Sequence, residues 1–300
     1  MSNILEKKKL EEAEEHVRLA EKHLKTAPFK FKFSPEYDPA GDEFGRAGTA
    51  YKVAKKYEES KKCYLRAVDC YKEVHQVFQA GRMLDNAVMV CKDANKHEDI
   101  SEYATRGAMM FRTVNKPEAA LSLLEKAAKI IEKSRPEDAI GLYEKAAETV
   151  SVEDRPNVAA DHMGKAGRIC VRLKAWDRAI PCLRAEVNYR KEGGSSPAQA
   201  VMGLLLIELM KGDRVAAEKV WRELGAWCDG EHTRAVQNII EGYDNQDAEM
   251  VSAGLDSPAI KNLDLDFSRL ARELPRPSGS GGTNQDGGEE DDGNELGGLC

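Results

Sequence analysis

The sequence has no hydrophobic run long enough to cross a membrane. Its longest apolar stretch, residues 201–210, is about half the length that a bilayer requires and contains Glu208. Lysines already stand at positions 7, 8 and 9, and no apolar segment of a signal peptide accompanies them. We therefore exclude an integral membrane protein and expect a cytoplasmic protein that contacts membranes at most peripherally.

Motifs of catalytic and metal sites are missing as well. No CxxC pair occurs among the seven cysteines, and neither a P-loop nor a dinucleotide-binding glycine fingerprint is present. Cys63 and Cys70 are expected to be small buried residues on one helix face, and His16 and His23 to be exposed polar residues of a charged helix. We expect no cofactor, no metal ion and no enzymatic activity, although motifs alone leave open a catalytic site assembled from distant residues.

An excess of basic charge is also missing, which argues against binding to nucleic acid. The formal net charge of the chain is −7, but six acidic residues and no basic residue follow Arg276. Residues 1–276 therefore carry a net charge of only −1. We expect residues 276–300, which are rich in glycine, serine and acidic side chains, to form a flexible tail.

A repeat is the strongest feature that the sequence does contain. Polar turn residues recur at intervals of about 20 or about 40 residues, and most have an acidic residue three places later; they are Lys55, Asn95, Asn115, Ser134, Lys174 and Lys211. An acidic residue near a helix N-terminus is favoured by the helix dipole. An interval of about 20 residues fits one helix and its turn, and about 40 residues fits a helical hairpin of the tetratricopeptide type.

The residues between these turns follow helical spacing. Apolar residues such as Leu121 and Leu124 recur at steps of three and four. Pro117 and Pro136 fit the first turn of a helix, whereas Pro181 is expected to kink its helix or to mark a late start. Period-two strand patterns are not convincing anywhere.

The fold class predicted from these patterns is all-α. Residues 1–275 are expected to form a TPR-like α-solenoid of stacked antiparallel helical hairpins with a C-terminal helical bundle. The disordered acidic tail is expected to follow as a separate region over residues 276–300. Only 6% of the residues are aromatic, so the core of the hairpins must consist largely of small side chains.

The segment after the first helix alternates aromatic and cationic residues: Phe29, Lys30, Phe31, Lys32 and Phe33. One interpretation is that the phenylalanines pack between the first two helices. The other is that they insert shallowly into a bilayer while the lysines meet anionic head groups. Both interpretations remain open from the residues alone.

Two further segments have a structural and a functional interpretation. Glu241 and Asp244 share a helix face if their helix continues, and Asp247 follows closely; the default interpretation is a solvated polar face. Leu299 is the penultimate residue, after an acidic and glycine-rich stretch. It is either simply part of the chain end or a small apolar anchor for a partner.

The order of these features resembles the soluble NSF attachment proteins, and the gamma form most closely. The stretches that carry the resemblance are residues 115–120, residues 136–147, residues 240–247 and the acidic tail that ends in residues 297–300. The resemblance covers nearly the whole chain, and the order of the motifs is more specific than any one of them.

The resemblance implies an adaptor that coats the four-helix SNARE bundle of syntaxin type and recruits the hexameric ATPase NSF. It implies membrane contact by Phe29, Phe31, Phe33, Lys30 and Lys32. It also implies SNARE contact by two lysines, Lys116 and Lys165. Contact with NSF is implied for three acidic residues and one leucine: Glu241, Asp244, Asp247 and Leu299.

Several positions depart from the alpha form of the family. Asn245 stands where that form has a further acidic residue, and Ser122 and Ser151 stand where it has basic residues. The leading hypothesis is a SNARE-disassembly adaptor whose contacts differ in detail from those of the alpha form. The alternative is a general TPR-type scaffold that binds peptide segments in another complex, and an enzyme of unknown chemistry comes third.

Overall fold

The computed structural model describes residues 2–26 and 34–277, and these residues fold into helices joined by short turns. No strand occurs within them. The helices are α1 (Ser2–Leu24), α2 (Tyr37–Val53), α3 (Tyr57–Glu73), α4 (Val77–Asp93), α5 (Ile100–Thr113), α6 (Pro117–Ile131), α7 (Pro136–Ser151), α8 (Pro156–Arg172), α9 (Trp176–Glu192), α10 (Ala198–Met210), α11 (Arg214–Leu224), α12 (Gly230–Asp244), α13 (Ala248–Leu255), α14 (Pro258–Lys261) and α15 (Leu265–Glu273).

Most of the turns between helices repeat one backbone motif. At the end of α2, the N–H of Lys56 donates to the carbonyl of Tyr51 at 2.9 Å and the N–H of Lys55 to that of Lys52 at 3.0 Å. This is the Schellman arrangement, which satisfies carbonyls that a helix end leaves unpaired. Seven residues other than glycine adopt the left-handed φ near 55° that the motif or its close variants require: Lys55, His75, Asn95, Asn115, Asp154, Lys174 and Gln246.

The hairpins stack in two layers. Ion pairs join helices that are next but one in the chain, such as Lys52 of α2 to Asp93 of α4 at 3.0 Å and Lys126 of α6 to Asp85 of α4 at 2.7 Å. We call α2, α4, α6 and α8 the even layer, and α3, α5, α7 and α9 the odd layer. The predicted stacked-hairpin solenoid is therefore confirmed.

Small residues bring the two layers together, as the sequence predicts. Ala47, Ala67 and Ala87 are fully buried. Gly48 of α2 faces the ring of Tyr64 of α3, and a Cβ atom on this glycine would come within 2.9 Å of the ring. Because only a hydrogen fits there, the hydrophobic contact between the helices is close although the side chains are few and small.

The solenoid ends in a helical bundle built around α10. Residues 200–209 are all buried, since α9, α11 and α15 surround this helix. The ring of Phe267 on α15 packs against Gly203, where a Cβ atom would lie 2.6 Å from it. The long apolar stretch of the sequence is thus the central helix of the C-terminal bundle.

Three local predictions can be compared with the fold. Cys63 and Cys70 are buried on one helix, as predicted. Of the two alternatives predicted at Pro181, a kink or a late start, the late start is wrong, since α9 begins at Trp176 and contains the proline in its second turn. The two histidines of α1 are not simply exposed polar residues: Nδ1 of His16 lies 2.6 Å from Glu43, and Nδ1 of His23 lies 2.6 Å from Glu36. They pair with the second helix because α1 packs along it.

Candidate functional site

A ladder of ion pairs runs along the even layer. Beyond the pairs at Lys52 and Lys126, Nζ of Lys165 on α8 lies 2.9 Å from Oε1 of Glu125 on α6. Arg172 at the end of α8 lies 2.6 Å from Glu132, the residue that follows α6. The ladder links equivalent positions about one helical hairpin apart in sequence.

The carboxylates of the even layer are all engaged within the chain. Every carboxylate on its four helices, all within the described part of the chain, has a polar or cationic partner; these carboxylates are Asp38, Asp42, Glu43, Asp85, Asp93, Glu118, Glu125 and Asp161. By contrast, Arg82 and Lys92 of α4 have no carboxylate within ion-pair distance among the described residues. The layer therefore presents Arg82 and Lys92 as free cations, while Asp38 and Asp42 are hydrogen-bonded to the uncharged groups of Gln76 and Tyr71.

Lys116, one of the two predicted SNARE contacts, belongs to these free cations. It caps the N-terminus of α6 directly after the turn residue Asn115, and its side chain is exposed. Within residues 2–26 and 34–277, no carboxylate forms an ion pair with it. A long, solvated lysine at this position acts through salt-sensitive attraction rather than through a fixed pair.

Lys165, the other predicted SNARE contact, is already engaged within the chain. Its ammonium group shares Glu125 with Lys129 and lies 5.6 Å from the centre of the Tyr143 ring. The two lysines, Lys129 foremost, lower the pKa of Glu125 to about 2. One carboxylate thus compensates two cations, which leaves a local excess of one positive charge.

The odd layer retains unpaired groups of both signs. Glu59, Asp69 and Glu73 of α3 and Glu148 of α7 have no ion-pair partner among the described residues. Its free cations include Lys62 and Lys72 of α3, Arg112 of α5 and Lys145 of α7, which also have no ion-pair partner among the described residues. The even layer differs in that all of its carboxylates are engaged within the chain, and the composition of the sequence does not reveal this difference.

The three predicted acidic residues near the C-terminus lie around one turn. Glu241 and Asp244 occupy the last turn of α12, as predicted, and both are exposed. Asp247 caps the next helix, since its Oδ1 accepts hydrogen bonds from the N–H groups of Glu249 and Met250, each at 2.9 Å. The structure thus brings all three together, but Asp247 also has a structural role.

The placement of Glu241 and Asp244 does not favour helix stability. Negative side chains at the C-terminal end of a helix face the negative end of its dipole, and the last turn of α12 has no basic residue. The nearest compensation for Asp244 is Arg214 of α11, whose Nη1 lies 3.8 Å away. Acidic groups that do not stabilise their own helix are well placed to meet an external cation.

The surrounding region is acidic as a whole. Residues 213–276 contain 13 acidic and 8 basic side chains, a net charge of −5, whereas residues 1–212 contain 33 acidic and 37 basic side chains, a net charge of +4. The chain therefore divides into a mildly basic solenoid and an acidic C-terminal bundle. This division is readable from the sequence once the repeat boundaries are known.

The remaining predicted site residues lie outside the described residues: Phe29, Lys30, Phe31, Lys32, Phe33 and Leu299. The two ends of the segment that contains the phenylalanines are close together. The N–H of Glu36 donates to the carbonyl of His23 at 3.0 Å, beside the ion pair between their side chains. The segment is thus the connection at one end of the first hairpin.

Other kinds of site are not found in the described part of the chain. No cluster of histidine, cysteine, aspartate and glutamate there could hold a metal ion. None of the helices described is long and apolar enough to span a membrane. The charged surfaces of the even layer and of the α12–α13 turn are therefore the leading site candidates.

The fold and these surfaces define a class: a helical-hairpin solenoid that presents charged faces for binding other proteins. The model of the family described as "Soluble NSF attachment protein, SNAP" matches residues 11–256. The chain belongs to this family, since the match covers most of its length.

Two curated relatives are similar over most of their length. The gamma-soluble NSF attachment protein of Dictyostelium discoideum is 23% identical over 243 residues, which cover 79% of this chain and 75% of the relative. The gamma-soluble NSF attachment protein of Arabidopsis thaliana is 22% identical over 230 residues, which cover 75% of this chain and 79% of the relative. The resemblance predicted from the residues is therefore confirmed at the level of the family.

Proposed function

We propose that this protein is a non-enzymatic adaptor that binds assembled SNARE bundles and recruits the ATPase NSF to dismantle them. Family membership supports the class of function, and the names of both curated relatives refer to attachment of NSF. The observation that carries the proposal is the division of charge between the mildly basic solenoid and the acidic C-terminal bundle.

The even layer is the proposed SNARE-binding surface. Each of its carboxylates has a hydrogen-bonding or ionic partner within the chain, whereas Arg82, Lys92 and Lys116 have no carboxylate partner among the described residues. An acidic helical bundle that lies along this layer meets several cations at once. Each contributes modestly and depends on salt, so the sum determines the affinity and the rate of association.

The α12–α13 turn is the proposed NSF-binding surface. Glu241 and Asp244 are exposed and fit a basic surface on the ATPase. Leu299 is proposed to stimulate ATP hydrolysis as an apolar contact on the tail. Asn245, in place of an acid of the alpha form, makes this surface weaker in charge than that of the alpha form.

Membrane contact is proposed for the connection between α1 and α2. Phe29, Phe31 and Phe33 would enter the bilayer shallowly, and Lys30 and Lys32 would meet anionic head groups. A peripheral position at the membrane would place the adaptor beside SNARE bundles that are anchored there.

The test is recovery of NSF on preassembled, immobilised SNARE complexes in the presence of a non-hydrolysable ATP analogue. Addition of the protein should increase the recovered NSF, and ATP with magnesium should then release the SNARE subunits. Unchanged NSF recovery would contradict the adaptor function. Binding to isolated peptide segments without any increase in NSF would favour the general scaffold instead.

A further inference from the structure

Arg168 joins the proposed SNARE-binding helix to the C-terminal bundle. It lies on α8 one turn after Lys165 and is mostly buried. Its Nε donates to the carboxylate of Asp264, the residue that precedes α15, and its Nη1 lies 3.3 Å from Oε2 of Glu186 on α9. Its guanidinium group also lies 5.3 Å from the centre of the Phe267 ring.

The carboxylate of Glu186 makes this junction unusual, because only 1% of the residue is exposed. Arg190, one turn further along α9, lies 3.4 Å from its other oxygen and pairs with Asp161 of α8 at 2.8 Å. A buried ion pair contributes little net stability compared with apolar side chains of the same size, but it fixes the geometry of the groups that it joins. The network is therefore better suited to orientation than to stability.

Two further ion pairs hold α15 to the same edge of the solenoid. Arg172 of α8 lies 3.4 Å from Asp266, and Lys174 in the following turn lies 2.8 Å from Glu273. Together with the pair of Arg168 and Asp264, these pairs place three cations of α8 and its following turn opposite three carboxylates of α15 and the residue before it. The register of α15 on α8 is thus set by charge as well as by Phe267.

The contact continues from α15 to the α12–α13 turn. The hydroxyl of Tyr243 on α12 donates to the carbonyl of Pro275, which follows α15, at 2.7 Å. Tyr243 lies between Glu241 and Asp244 in sequence. A continuous set of contacts therefore leads from α8 through α15 to the acidic surface.

We propose that Arg168 is a positioning residue that fixes the α12–α13 acidic surface relative to the even layer. Its forked guanidinium bridges Glu186 and Asp264, and this bridge sets the angle between the bound SNARE bundle and the recruited ATPase. The proposal rests on the adaptor function and adds to it a residue that touches neither partner. Loss of the bridge should leave each partner bound but should slow disassembly.

Two variants separate positioning from folding. Asp264→Asn removes the negative charge from the α15 end of the bridge and leaves Glu186 paired; the side chain of Asp264 makes no capping hydrogen bond, so none is lost. Arg168→Lys keeps a positive charge beside Glu186 but lacks the planar fork that spans two carboxylates. Asp256→Asn is the matched control, because Asp256 pairs with Lys261 inside the bundle at 3.4 Å and does not contact α8.

The direct measurement is the distance distribution between spin labels on noncanonical residues at positions 122 and 245, which are exposed on α6 and after α12. Asp264→Asn and Arg168→Lys should broaden it, and Asp256→Asn should not. The same two variants should reduce the disassembly rate per recruited NSF by about fivefold, with unchanged SNARE binding. A merely structural role would lower all activities together with the melting temperature.

The outcomes distinguish the positioning role from the adaptor function. Equal distance distributions in the wild type and both variants, or an unchanged disassembly rate per recruited NSF, would overturn the role of Arg168. A wild-type protein that recruits no NSF would overturn the adaptor function instead, and the distance measurement would still decide whether Arg168 positions the bundle.

Discussion

Lys129 and Lys165 share one oxygen atom, Oε1 of Glu125, and each ammonium group lies 2.9 Å from it. The two lysines belong to consecutive helices of the even layer, so the carboxylate links these helices and compensates part of their positive charge. Lys165 is consequently not a free cation in the unbound protein. An acidic partner must compete with Glu125 for it.

Removal of that carboxylate should therefore strengthen binding. In Glu125→Gln, two lysines become available to an acidic SNARE bundle, and we expect the affinity to rise by about fivefold, or about 1 kcal/mol. Glu148→Gln is the matched control, since Glu148 is an exposed and unpaired acid of the odd layer. Titration calorimetry or interferometry with a soluble SNARE complex provides the measurement, and equal affinities for the two variants would contradict the assignment of the even layer.

Lys116→Ala should weaken the same interaction. The side chain of Lys116 has no ion-pair partner within the described residues, so its removal should change the affinity for the SNARE complex without breaking a contact inside the chain. We expect a loss of about threefold near 0.05 M salt that shrinks near 0.5 M salt, where screening is strong. Lys145→Ala, on the exposed surface of α7, is the control; an equal loss there would mean that only total charge matters.

Replacement of Phe29, Phe31 and Phe33 by serine should reduce binding to liposomes that contain anionic lipids. The physical reason is the loss of apolar groups that enter the bilayer. Binding to soluble SNARE complexes should stay unchanged, and Val215→Ser serves as a control for an exposed apolar residue elsewhere. If the triple variant instead melts early with unchanged liposome binding, the phenylalanines pack between the first two helices.

His162 should make stability depend on pH. It is 3% exposed, its Nδ1 has no hydrogen-bond partner in the described part of the chain, and burial lowers its pKa from the ordinary value of 6.5. As the pH falls toward and below 6.5, His162 takes up a proton in the unfolded chain but resists it in the folded state. The free energy of unfolding therefore falls. Between about pH 7.5 and about pH 5.5, His162→Phe should lose less stability than the wild type in urea unfolding. Equal losses would contradict a buried neutral histidine.

The turns of the solenoid were predictable because their cause is local. Four of the six predicted turn residues, Lys55, Asn95, Asn115 and Lys174, adopt the left-handed conformation that ends the preceding helix, whereas Ser134 and Lys211 do not. His75 has the same conformation without a recognisable pattern of neighbours. At such positions the helix length and the packing of the next hairpin impose the turn.

The charge pairing was not predictable to the same degree. Glu125 and Lys165 are 40 residues apart, one hairpin, and a search for opposite charges at that interval could have found them. Arg168 and Asp264 are 96 residues apart, and they meet only because α15 folds back on α8. No repeat relates these two positions, so their contact follows from the tertiary packing alone.

The acidic surface of the C-terminal bundle is proposed to recruit NSF to a SNARE complex that is held by the even layer. The most direct measurement is NSF recovery on immobilised SNARE complexes with the double variant Glu241→Gln/Asp244→Asn. The control is Glu218→Gln/Glu231→Gln, which removes one half-exposed and one exposed acid of the same region. The Glu241→Gln/Asp244→Asn variant should still bind SNARE complexes but should recover several-fold less NSF, because about 1–2 kcal/mol of attraction is lost. The control variant should behave as the wild type. Equal NSF recovery for both variants would contradict this proposal.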